Sequence, residues 1–97
     1  MKKTVLNMKK IGEFKIYLYG EERSKATIEK YMRDVMQFYK YMPENDKAIT
    51  KEKLVAYKNS LSEKYKVSSI NSMLVALNGL LDYLKLGKVQ FTRDYTG

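Results

Sequence analysis

The chain has 97 residues, 44% of them hydrophobic and 31% charged, a balance that builds one small core and leaves little room for an enclosed active site. It contains no cysteine and no histidine, which excludes disulfides, thiolate catalysis, Ser-His-Asp relays and the imidazole ligands that most zinc sites use. Nineteen Lys and Arg against eleven Asp and Glu give a formal net charge of +8, a field that attracts nucleic acid or an anionic membrane surface.

The opening MKKTVLNMKK starts with the two lysines of a signal peptide, but Asn7, Lys9 and Lys10 cut the apolar run after Leu6. No secretion segment is expected. No run approaches the roughly 18–20 apolar residues of a membrane span, so the reading is cytoplasmic. Ile11, Phe14, Tyr17 and Leu18 then form a short helical stripe ending at Gly20, a residue suited to the left-handed position after a helix. Glu21, Glu22 and Arg23 make a polar link.

Ser24 is placed to cap a second helix. In it Ile28, Tyr31, Met32, Val35, Phe38, Tyr39 and Met42 recur at steps of three and four, until Pro43 stops it. Centring that helix on Ile28 and advancing about 100° per residue puts Lys30, Arg33, Gln37, Lys40 and Tyr41 on or near the far side, with Lys25 in the first turn nearer the edge. The first turn also presents unpaired amides and the hydroxyls of Ser24 and Thr27. Cation, helix dipole and donors can together hold a phosphate there. The alternative is an ordinary solvated helix face.

Residues 43–49 form a polar loop too short to separate two domains. Thr50 is the next expected cap, with Glu52 in the first turn complementing the dipole and Leu54, Tyr57, Leu61 and Tyr65 as the third stripe. A fourth helix follows, capped by Ser68 or Ser69. Ile70, Met73, Leu74, Leu77, Leu80, Leu81 and Leu84 face inward and Gly87 stops it. Its outward positions, Ser69, Asn71, Ser72, Val75, Asn78, Gly79 and Asp82, are small and polar rather than charged. Asn can pair with adenine in a major groove, Ser can donate to phosphate or base, and Val75 can meet a thymine methyl. A neutral face that keeps the helix soluble is the alternative.

The nine tyrosines invite base stacking, but most fall on or beside the stripes, and Tyr31, Tyr39, Tyr57 and Tyr65 read as core residues whose hydroxyls reach the surface. Nothing around Tyr95 activates a nucleophile. The methionines read as core filling, and the loop carboxylates Glu21, Glu22, Glu44 and Asp46 as solubilising. No metal ligand set, cofactor site or catalytic residue is expected. Residues 1–88 form the expected domain, and 89–97 the start of a linker towards a catalytic domain that the chain lacks.

Three stretches together, "FKIYLYGEERSKATIEKYMRDVMQFYKYM", "ITKEKLVAYKNSLSEKY" and "VSSINSMLVALNGLLDYLKLGK", resemble the N-terminal core-binding domain of tyrosine site-specific recombinases, the phage and transposon integrases. The family shows a Ser, a Thr three residues on, a Tyr four further and a Phe seven beyond, matched by Ser24, Thr27, Tyr31 and Phe38. Ile49, Thr50, Leu54, Tyr57 and Leu61 match its second element. Ser69, Ile70, Ala76, Leu77, Tyr83 and Leu84 match its last.

The resemblance implies an all-α fold, a four-helix SAM-like orthogonal bundle, forming half of a clamp around double-stranded DNA. Its second and fourth helices would face the major groove. Ser24, Lys25, Thr27, Lys30 and Arg33 would then position the clamp on phosphates, and Ser69, Asn71, Ser72 and Asn78 would lie near base edges. Duplex DNA, a catalytic domain and other recombinase subunits are the implied partners, with no membrane. The family often has arginines on its last helix where this chain has Ser72 and Asn78. A chain without His also cannot hold the family's full catalytic set. The reading from another class is a basic helical module that binds a protein partner or an anionic membrane surface.

Overall fold

The computed structural model describes residues 4–84. Four helices succeed one another: α1 (Met8–Gly20), α2 (Lys25–Tyr41), α3 (Lys51–Ser62) and α4 (Val67–Tyr83). Two short strands, β1 (Thr4–Val5) and β2 (Ala48–Ile49), pair antiparallel with Thr4 opposite Ile49 and Val5 opposite Ala48. The all-α architecture follows from the four stripes. A two-residue strand is too short to show alternation, so the pair had no sequence signal. Its effect is to pin the segment before α1, where Leu6 donates its amide to the Lys47 carbonyl at 2.8 Å and buries its side chain in the core.

Three helices start at side-chain caps. Asn7 Oδ1 accepts from the Lys10 amide at 2.8 Å, Ser24 Oγ from the Thr27 amide at 3.1 Å, and Thr50 Oγ1 from the Lys53 amide at 3.2 Å. Each satisfies one of the donors that a helix start leaves without a partner. The fourth helix departs from expectation. It begins at Val67, before Ser68 and Ser69, with Lys66 at the cap position and no side-chain hydrogen bond. The end of α1 differs too. Gly20 is its last helical residue, and the left-handed residue is Glu22 (φ 59°), whose amide donates to the Tyr19 carbonyl at 3.0 Å.

α4 is the centre of the bundle. It buries Ile70, Met73, Leu74, Ala76, Leu77, Leu80 and Leu81, and packs against both α2 and α3. α1 adds Ile11, Phe14 and Leu18, and α2 adds Ile28, Val35 and Phe38. Aromatic contacts close two sides. Tyr57 of α3 lies between Phe38 and Tyr41, with ring centroids 5.1 and 5.0 Å away, while Tyr83 meets Phe14 and Tyr17 at 5.6 and 4.9 Å. Gly79 was expected on the outer face but is half-buried. A Cβ there would sit 3.4 Å from Tyr31 Cε2 and 3.7 Å from Phe14 Cζ, ordinary van der Waals contact with the two rings that cover this side of α4.

Two loop-side lysines are structural. Lys47 Nζ donates to the carbonyls of Tyr39 and Met42 at 2.6 and 2.8 Å, closing the C-terminal end of α2, and stands 4.3 Å over the Tyr39 ring. Lys53 Nζ donates to the Ala48 carbonyl at 2.7 Å and pairs with the Asp46 carboxylate at 2.7 Å, which fastens the loop to α3. Gly87 and the tail Lys88–Gly97, with Tyr95, lie outside the described residues.

Candidate nucleic-acid interface

The first turn of α2 is built by its cap. Ser24 Oγ accepts from the Thr27 amide and donates to Thr27 Oγ1 at 2.9 Å, so the two hydroxyls hold each other and the turn. Ser24 and Lys25 are exposed and Thr27 is half-buried. The orphan amides at the start of α2 and the Lys25 ammonium therefore point into the same solvent region. Arg23, just ahead of the cap, places its guanidinium 5.5 Å from the centroid of Tyr31. Arg23 carries no functional signal in the sequence, because a lone cation in a polar link shows nothing of the ring it covers.

Further along α2 the exposed face carries Arg33 and Lys40, with Glu29 between them and Lys25. No ion pair among the described residues engages Lys25, Arg33 or Lys40. Lys30 is placed differently from the sequence reading, which put it opposite the buried side. Asp34 is itself buried, at 7% exposure, so the covered side of α2 reaches round from Ile28 past Phe38 to Asp34. Lys30 stands at the resulting seam with α4. Its ammonium donates to the Asp34 carboxylate one turn away and to the Ser72 carbonyl of α4 at 3.0 Å. The helical wheel missed this because it had been centred on one residue of a helix with two neighbours.

Of the fourth-helix residues, Ser69 and Asn71 are exposed, while Ser72 and Asn78 are half-buried. Asn78 Oδ1 is sealed from solvent and has no hydrogen-bond partner among the described residues. Val67 and Val75 are 61% and 53% exposed, so the outer surface of α4 does carry apolar groups within reach of a ligand. The amides that open α4 have no side-chain cap and lie next to the exposed Lys64 and Lys66.

Between α2 and α4 runs a groove of about 260 Å³ lined by Lys30, Asp34, Gln37, Tyr65, Ser69 and Ser72. Gln37 Nε2 reaches Tyr65 Oη at 3.5 Å across its end. Tyr65 is 40% exposed and belongs to this rim, not to the core as its stripe had implied. Tyr57 behaves in the opposite way. Its ring is 2% exposed, and its hydroxyl, expected at the surface, is buried without a partner among the described residues. Burial first, the Asp34 carboxylate second and Tyr65 third push that hydroxyl well above its ordinary value of 10. Burial keeps it neutral and makes it a poorer nucleophile than an exposed phenol.

The surface can therefore offer cations and amides to an anionic backbone along α2, and uncharged donors and acceptors along α4. Among the described residues, no group of three or more Asp or Glu is placed to hold a metal ion, and no helix is long and apolar enough to cross a membrane. A family model described as phage integrase, N-terminal SAM-like domain, matches residues 11–88. No curated protein and no solved structure matches the chain.

Proposed function

The chain belongs to the phage integrase N-terminal SAM-like domain family, and from that premise we propose that it is the non-catalytic DNA-binding domain of a tyrosine recombinase, one arm of a clamp on duplex DNA. The observation that carries the reading is the shared surface of α2 and α4. Lys25 and Arg33 stand exposed on α2 without a carboxylate partner among the described residues, and α4, which packs against α2, exposes Ser69 and Asn71 with hydrogen-bonding groups and no charge. Cations and helix-start amides on α2 hold phosphates, which are the same in every sequence. Small polar side chains on α4 approach base edges, which are not.

In this reading the strand-exchange chemistry belongs to a separate catalytic domain, and further recombinase subunits share the DNA site in the cytoplasm. The chain itself binds and orients. Binding to a labelled duplex across a salt series tests it. The expected result is an association constant that falls linearly in a log-log plot, with a slope of about −0.9 for each phosphate neutralised. Binding that ignores salt, or that prefers anionic lipid vesicles to duplex at equal salt, replaces this reading with the interaction-module one.

A further inference from the structure

We infer that Asp34 and Lys30 are positioning residues for DNA binding, a clasp that sets α2 against α4, and that the Lys30 ammonium works inside the protein and not on DNA. The inference rests on the DNA-binding reading above. Its starting point is the placement of the pair. The Asp34 side chain is 9% exposed and the Lys30 side chain 34%, so the carboxylate is the buried partner and the ammonium the bridge. That bridge ends on the Ser72 carbonyl, 42 residues away and on the other DNA-facing helix.

A carbonyl inside a helix still has a second lone pair to offer, so the ammonium ties α2 to the backbone of α4 without opening α4. The attachment ties the level of Lys30 on α2 to the level of Ser72 on α4. The residues proposed to touch DNA lie one turn from the clasp on each side: Arg33 follows Lys30 by three positions, and Ser69 precedes Ser72 by three. If the two helices slide, the phosphate contacts and the base-edge contacts lose their common register. The clasp also neutralises Lys30 with Asp34, so this lysine adds little to the field that a phosphate feels.

The parent, Lys30→Met, Asp34→Asn, the double variant and Lys30→Arg are titrated with a labelled duplex selected by the parent from a random pool, over a salt series, at a temperature where circular dichroism shows all of them folded. The double variant removes both charges together and is expected to fold even where a single variant is weakened. Each neutralising single variant is expected to bind about tenfold more weakly, in the usual range for coupled residues, and the double variant no more weakly than the worse single. The salt slope stays at the parent's value throughout, and Lys30→Arg retains most of the affinity. A slope lowered by about one unit in Lys30→Met makes Lys30 a phosphate contact and overturns the inference. So does an Asp34→Asn variant that binds as well as the parent or better. A parent that binds no duplex overturns the DNA reading itself, and the positioning role falls with it; a parent that binds while the slopes shift overturns the positioning role alone.

Discussion

α2 and α4 lie side by side, yet they show solvent opposite chemistries. The outer face of α2 carries Lys25, Glu29, Arg33 and Lys40, whereas that of α4 carries Val67, Ser68, Ser69, Asn71 and Val75, with Asp82 its one charge. α4 buries seven residues and α2 four, one of them the charged Asp34. The contrast separates two tasks. A charged face draws any polyanion from a distance, while a small polar face discriminates only on contact. The seam between them holds the one lysine of α2 that is already spoken for.

The comparison is broken most severely from within α4. Leu77 is 1% exposed and Val75, two residues earlier, is 53% exposed. Leu77→Ala is expected to cost about 2–5 kcal/mol of unfolding free energy, and Val75→Ala to stay within about 0.5 kcal/mol. Denaturant titrations of the two variants check this. Equal losses would mean that α4 has no outer face to present.

The next effect divides the two faces by sequence dependence. Removing a base-edge contact at Ser69 or Asn71 is expected to cost about 1–3 kcal/mol on a cognate site and little on random duplex. Lys25→Ala and Arg33→Ala are expected to weaken both duplexes alike and to lower the salt slope by about one unit each. Competition titrations on selected and scrambled duplexes separate the two patterns. A selective loss from Lys25→Ala would exchange the roles assigned to the helices.

Much of this was legible in the residues, for reasons that also explain what was not. The four stripes identify the helices because burial and periodicity are local properties, and Ser24 and Thr50 identify their caps because a cap bonds three residues ahead. The clasp was not legible. Lys30 reads as a cation on the far side of α2 and Asp34 carries no signal of its own, and only the approach of Ser72 from 42 residues away turns them into a seam. Tyr65 and Tyr57 sit on one stripe with the same spacing to Leu61 in opposite directions, and yet one lines a groove while the other is sealed. That difference depends on where the chain bends towards α4, which the stripe does not record. The left-handed turn falls on Glu22 rather than Gly20 for a similar reason: the helix runs two residues beyond Leu18, the end of its stripe.

The smallest expected effect concerns Tyr57, at the point where α2, α3 and the Asp34 carboxylate meet. Its folded-state pKa is raised, so its neutral form supports the fold fully below pH 10, and that support declines above it as the unfolded chain ionises first. Tyr57→Phe removes a hydroxyl with no partner among the described residues. It should change stability by no more than about 1 kcal/mol near neutral pH, on the stabilising side, and should shrink the alkaline loss. Thermal unfolding from pH 8 to 11 measures both. An unchanged alkaline slope would place the hydroxyl in contact with solvent.

The central claim, that the joint surface of α2 and α4 receives DNA, is tested most directly by amide chemical-shift mapping of the labelled protein as duplex is added. The largest changes are expected at residues 25–27, at Arg33, and at the exposed turn around Ser69 and Asn71. Changes gathered instead on the outer faces of α1 and α3, with those residues unmoved, would contradict it.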